Sequence, residues 1–160
     1  MGVSAIQALV GQTCWYVSAG GVSAPSFTLV LGDRVLRETP LSNPAHPEAF
    51  RKFRGTVELL VWCSWRLQGE AAVLASSAQE EAGLPHLDAL VGATVAAIVC
   101  AAPAWDLVLD FSNGLRLQIF CDNVDPNSPA SQNWELWAGD LYVSAGPGTL
   151  WEEEQPSSQS

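Results

Sequence analysis

The sequence predicts a mainly β protein, an antiparallel β-sandwich or partly closed barrel made from two copies of one unit related by a pseudo-twofold axis, with short helical turns. Three observations carry this expectation. The chain repeats itself: Ala8-Leu9-Val10-Gly11-Gln12-Thr13 returns as Ala89-Leu90-Val91-Gly92-Ala93-Thr94, and Ala24-Pro25-Ser26-Phe27-Thr28-Leu29-Val30-Leu31 as Ala102-Pro103-Ala104-Trp105-Asp106-Leu107-Val108-Leu109. Apolar and polar residues alternate with the period of a half-buried strand. Turn residues punctuate these runs at matching places in both copies.

Each copy opens with a short apolar-spaced helical turn, Ser4 to Leu9 or Pro85 to Leu90. A glycine, Gly11 or Gly92, then precedes a strand over 13–18 or 94–100. The next strand puts Phe27, Leu29 and Leu31 on one face, and Trp105, Leu107, Leu109 and Phe111 in the other copy. Leu29 and Leu107 are thus expected at equivalent buried positions. Gly32-Asp33 and Asn113-Gly114 follow, the latter suited to a two-residue type I′ hairpin, with return strands over 34–38 and 115–121. Polar loops with prolines three apart come next, Pro44 to Pro47 and Pro126 to Pro129. In copy one Ala49 to Arg54 reads as one helical turn and Val57 to Leu67 as one long strand. Both copies close with Trp65-Arg66-Leu67 or Trp134-Glu135-Leu136, a tight turn at Gly69 or Gly139, and a last strand over 72–76 or 141–145. The tally is about ten strands, five per copy, so that each copy supplies one sheet. Residues 76–83 read as a polar linker or a short helix.

The chain has 160 residues, 48% hydrophobic and 15% charged. That composition fits a single domain over 1–151, with copy one at about 4–77, copy two at about 85–151, and a disordered tail over 152–160, where no apolar residue remains to bury. The apolar stretch Val95 to Ala104 is shorter than the ~20 residues of a membrane-spanning helix, and the N-terminus lacks the basic-then-apolar pattern of a signal peptide. A cytoplasmic protein is expected. Cys14, Cys63, Cys100 and Cys121 are too widely spaced for a CxxC motif and read as reduced, strand-borne hydrophobes.

Charge divides the copies. Residues 1–84 hold seven acidic and six basic side chains, whereas residues 85–160 hold ten acidic ones against Arg116 alone, for a net −10 overall. Such a surface disfavours nucleic acid and anionic membrane and favours a basic partner protein. Asp122, Asp125, Trp137 and Asp140 are the candidate partner-binding residues. Arg51, Lys52 and Arg54, the one basic cluster, are suited to answer an acidic surface of the same or a second molecule, which leaves a homodimer open.

Chemistry is harder to find. His46 and His86 lack metal-ligand spacing, and the loop from Asp122 to Asn127 lacks the glycine and glutamate of a calcium-binding EF-hand. No nucleophile elbow, phosphate loop or dinucleotide motif occurs. No catalytic residue, metal or cofactor is expected. Asp106 and Asp110, on one face of a strand, are open to two readings, an acidic pair for general acid–base catalysis in an enzyme or the solvent face of that strand, and alternation favours the second. Of seven tryptophans, Trp65, Trp105 and Trp134 hold repeat-equivalent positions and are expected in the core. Trp62, Trp137 and Trp151 have no such counterpart, which marks them for a contact surface.

The segments Leu90-Val91-Gly92-Ala93-Thr94, Leu107-Val108-Leu109-Asp110-Phe111-Ser112-Asn113-Gly114-Leu115-Arg116-Leu117 and Trp134-Glu135-Leu136 resemble a pattern in short uncharacterised bacterial proteins, some of them similar to immunity proteins of polymorphic toxin systems. The resemblance covers mainly residues 87–136, with an echo over 6–77. Its motifs are structural, so it implies an all-β fold and carries over no site residue. The expected function is a non-enzymatic bacterial interaction protein, an immunity-type inhibitor of a basic partner. The alternative is a small-molecule carrier with an apolar pocket inside a barrel.

Overall fold

The computed structural model describes residues 2–19, 26–127 and 132–155. Helix α1 (Gly2–Gln7) leads into β1 (Cys14–Ala19) and β2 (Phe27–Leu36). After α2 (Glu48–Lys52) come β3 (Phe53–Val61), β4 (Ser64–Gln68) and β5 (Val73–Ser76). A 3₁₀ segment (Ser77–Leu90) then opens the second copy, with β6 (Val95–Ala101), β7 (Asp106–Phe111), β8 (Arg116–Phe120), β9 (Trp134–Ala138), β10 (Leu141–Gly146) and β11 (Thr149–Glu154). The strands form two antiparallel sheets, sheet one in the order β1-β2-β3-β9-β10-β11 and sheet two in the order β5-β4-β8-β7-β6. They face each other as a sandwich, and among the described residues no barrel closes.

The copies exchange strands. Sheet one joins β1–β3 of copy one to β9–β11 of copy two, while sheet two joins β6–β8 of copy two to β4 and β5 of copy one. This corrects the expectation of one sheet per copy. A period-two pattern fixes which face of a strand is buried but not which strand lies beside it. The expected single strand from Val57 to Leu67 is accordingly two strands in different sheets, broken at Trp62-Cys63.

A pseudo-twofold axis relates the halves, and it passes between Thr13 and Thr94, which bridge each other and share a 2.8 Å hydroxyl–hydroxyl hydrogen bond. Around them the backbone bonds come in exchanged pairs. The Gly11 amide donates to Val95 O at 2.8 Å as Gly92 donates to Cys14 O at 2.7 Å; the Cys14 amide donates to Ala93 O at 2.9 Å as Val95 donates to Gln12 O at 3.0 Å. Even the bulge repeats, at Trp15 in the β1–β2 pairing and at Ala96 in β6–β7. Those registers pair Val17 with Leu29 and Ile98 with Leu109, so the position in the second copy equivalent to Leu29 is Leu109 and not the expected Leu107. Both Leu29 and Leu107 are buried, because a slip of two residues keeps the face.

The two glycine turns also differ from expectation. Gly32 (φ +82) does not turn the chain. It lies in a bulge where β2 continues through Arg34, opposite Thr56, whose Oγ1 accepts from the Asp33 amide at 3.0 Å. At the β7–β8 hairpin Gly114 alone has positive φ (+84). Its amide donates to Phe111 O at 3.1 Å and the Phe111 amide to Leu115 O at 2.9 Å, so the loop has three residues and is not a type I′ turn.

One core fills the space between the sheets. Trp65 and Trp134 occupy equivalent places in it, Trp65 beside Ile119 in sheet two and Trp134 beside Val61 in sheet one. Phe27 meets Trp65 edge-on, with centroids 5.3 Å apart. Trp105 departs from the expected core position. It precedes β7 at φ +70, is half-buried, and offers its carbonyl to Trp134 Nε1 at 2.9 Å. Burial holds the Cys14 and Cys100 thiols up at about 11, and Cys100 is half-buried.

The copy-one insertion forms a second, smaller cluster on the outside of sheet one. Phe50 of α2 packs among Tyr16, Trp15 and His46, Tyr16 and Phe50 having centroids 4.7 Å apart, and Tyr16 lies opposite the buried Val30 of β2. Arg34 stacks on Trp15 and Arg37 on Phe50, at 4.6 and 4.7 Å. Of the expected basic cluster, Lys52 pairs with Glu48 at 2.6 Å and Arg51 Nε donates to His46 O, so both are engaged inside this insertion.

The 76–83 region is 3₁₀-helical from Ser77, with a break at Glu80 (φ +54). Ser76 caps it, with its hydroxyl accepting from the Ala78 amide and its own amide donating to Gln79 Oε1 at 2.9 Å. The expected disorder from Glu152 is corrected as far as Glu154. Pairing with β10 satisfies the backbone there, Leu141 opposite Glu154, and needs no apolar side chain. The expected second proline loop ends at Pro129 and the tail at Ser160; both reach outside the described residues.

Candidate functional site

Strand β9 reads Trp-Glu-Leu-Trp, and its alternation buries Trp134 and Leu136 completely. Glu135 and Trp137 must therefore project from the outer face of sheet one. On that face the Glu135 carboxylate takes two short hydrogen bonds, from Trp62 Nε1 to Oε2 and from Tyr142 Oη to Oε1, each 2.6 Å. Trp62 comes from the corner between β3 and β4, and Tyr142 from β10. Tyr142 packs on Trp137 with centroids 5.3 Å apart. Next to it on β11, Trp151 stands opposite Ser144 and is 61% exposed; Trp62 is 42% exposed.

Carboxylates frame these rings. Register places Glu58 of β3 beside Trp137 and Glu153 of β11 beside Tyr142. Glu58 Oε2 also accepts from the Gly55 amide at 3.1 Å. Burial first, then the bond to Glu135, pushes the Tyr142 phenol up to about 12, which keeps it a donor across the ordinary pH range. The result is an aromatic surface with acceptors facing outward. It suits cationic side chains, which gain from carboxylates and from the faces of Trp and Tyr together.

The equivalent positions on sheet two carry different chemistry. Where sheet one has Trp62 against Glu135, sheet two has Phe120 under Arg66, 5.4 Å from the ring. Arg66 is held there by Gln118 Oε1 at 2.7 Å. The scaffold is shared and the site belongs to sheet one alone.

The four residues expected to bind a partner do not form one patch. Trp137 lies within the aromatic face. Asp122 sits at its margin, just beyond β8, and accepts from both the amide and the hydroxyl of Ser64. It lines a cleft of about 280 Å³ with Trp62, Cys63, Ser64, Ser77 and Asn123. Asp125 is exposed in the following loop and accepts from the Asn127 amide at 2.9 Å. Asp140 lies in the β9–β10 turn, at the opposite end of β9 from Asp122. Glu58, Glu135, Tyr142 and Glu153 are the residues missing from the expected set. Glu135 was hidden by its motif: Trp-Glu-Leu matches Trp-Arg-Leu in the other copy, and the mismatch in its middle residue was the available signal.

Asp106 and Asp110 each serve a local partner. Asp106 Oδ1 accepts from the Cys121 amide at 2.7 Å, and Asp110 forms a salt bridge with Arg116 at 2.7 Å. Among the described residues no cluster of three or more His, Cys, Asp or Glu is arranged to hold a metal ion, and no helix is long and apolar enough to cross a membrane. Comparison of the chain with family models, with curated proteins and with solved structures returned no match in any of the three.

Proposed function

We propose that this protein is a non-enzymatic binding module that docks a basic partner protein on the outer face of β3, β9, β10 and β11. The observation that carries this reading is Glu135 tied to Trp62 and Tyr142, with Trp137 and Trp151 beside it: a preorganised face of rings and carboxylates confined to one sheet. Preorganisation lowers the ordering cost of binding, and exposed Trp and Tyr are the side chains on which interface energy concentrates. The acidic excess of the second copy adds long-range attraction. An immunity-type inhibitor covering a basic surface is one form such a module takes.

A fluorescein-labelled Arg/Lys-rich peptide, with its Asp/Glu counterpart as control, tests the reading by fluorescence anisotropy. Binding of the basic peptide alone, weakened at high salt and cut at least about tenfold by the triple change Glu58→Gln, Glu135→Gln, Glu153→Gln, is expected. Equal binding by that variant and by the native protein contradicts it.

A further inference from the structure

The pseudo-twofold axis meets the chain at a second place. Beyond the Ser64–Phe120 pair of β4 and β8, one further step of the antiparallel register sets Cys63 opposite Cys121. These residues are equivalent in the two copies, because Val61 and Ile119 hold matching positions two residues earlier in β3 and β8. Each ends the run of its copy's first three strands: Cys63 where the chain leaves sheet one for sheet two, Cys121 where it starts back.

We propose that Cys63 and Cys121 form a disulfide site that fastens the two crossovers to each other. The β4–β8 ladder ends at Ser64–Phe120, and Cys63 and Cys121 are the next residues beyond it; opposed residues of an antiparallel pair have Cα atoms roughly 4.5–5.5 Å apart, and a disulfide spans roughly 4.4–6.8 Å. Their amides do not bond each other: Cys63 donates to Asn133 O at 3.2 Å and Cys121 to Asp106 Oδ1 at 2.7 Å. Both side chains are buried in the same core, where the Cys121 thiol donates to Trp105 O at 3.3 Å, and the neighbouring Cys121, followed by burial, raises the Cys63 thiol above its ordinary value. Cys63 also lines the 280 Å³ cleft, although only 5% of the residue is exposed, so a small reagent reaches the site through local opening.

The other cysteines are excluded by position. Cys100 is on β6 and is separated from β8 by β7, and two strand spacings come to about 9.5 Å, beyond disulfide reach. Cys14 lies in the other sheet, on β1.

The reaction needs a two-electron oxidant, for which a peroxide suffices. The Cys63 thiolate attacks hydrogen peroxide, breaking the O–O bond to give a sulfenic acid and, with the thiol proton, water. Cys121 sulfur then attacks the sulfenic sulfur, the S–O bond breaks, and the second thiol proton leaves in a second water. Two thiols and one peroxide become one disulfide and two waters. Because its thiol is held protonated, Cys63 reacts slowly, so prolonged exposure is required.

The test is to incubate the native, folded protein with hydrogen peroxide, map its peptides without reduction, and compare melting before and after dithiothreitol. A Cys63–Cys121 peptide with Cys14 and Cys100 unlinked is expected, absent from Cys63→Ser and from Cys121→Ser, with a Tm several degrees higher that dithiothreitol reverses. Four unlinked cysteines, or a link through Cys100 or Cys14, overturns the site. A mapped link that leaves Tm unchanged or lowers it overturns the fastening role.

Discussion

Gly32 and Gly114 look alike in sequence, each beginning or ending a turn dipeptide, yet they are constrained differently. A Cβ on Gly32 would lie 2.1 Å from Thr56 Oγ1, whereas one on Gly114 meets nothing within 4 Å; both have positive φ. Gly114→Ala should therefore cost only the backbone strain, about 1 kcal/mol, and Gly32→Ala about 2 kcal/mol or more. Urea denaturation of the two variants gives the order, and a Gly114 variant less stable than the Gly32 variant contradicts the bulge. Tyr142 offers a second residue-level check. Its phenol is raised in the folded state from 10 to about 12, so the associated stability is fully present below pH 10 and is lost as pH rises through about 12. Ultraviolet titration should show no phenolate with a midpoint of 10, since Tyr16 is raised as well by burial, and Tyr142→Phe should remove the step near 12. A full phenolate at pH 10 in the native protein would refute this.

At the scale of elements, β9 shows both how far the sequence carries and where it stops. Its alternation made Trp134 a core residue and left Trp137 unmatched, and both readings describe the fold. That Glu135 joins Trp62 across β3 and β9 was invisible, because strand neighbours come from long-range pairing between copies, whereas alternation reports only a face. Strand β11 was hidden for another reason. Its acidic residues suggested a solvated tail, but a terminal strand is held mainly by its ladder to β10, six residue pairs from Leu141–Glu154 to Gly146–Thr149. Ending the chain at Gly146 removes Trp151 and bares the β10 edge. Such a protein should self-associate in size-exclusion chromatography and melt earlier; a monomer with unchanged Tm argues that β11 protects nothing.

The whole molecule is a duplication whose halves depend on each other. Legible in the sequence were the repeat, the period of its strands, the two core tryptophans and the charge asymmetry. Illegible was the exchange, since Val57–Leu67 reads as one strand until the break at Trp62-Cys63 sends it into two sheets. Neither copy owns a complete sheet: β3 needs β9, and β8 needs β4. The bonds around Thr13 and Thr94 join the copies again at the axis. An arrangement of this kind makes the two copies one cooperative unit. It also allows the proposed binding surface on one outer face to differ from the Arg66 and Phe120 of its counterpart, since substitutions on an outward face leave the shared core untouched. The most direct measurement is to produce residues 1–82 and 83–160 as separate polypeptides and record near-ultraviolet circular dichroism and mass, alone and mixed. Strand exchange predicts that neither folds as a monomer and that mixing yields a one-to-one complex with fixed aromatic signals; a monomeric 1–82 fragment that unfolds cooperatively by itself would contradict it.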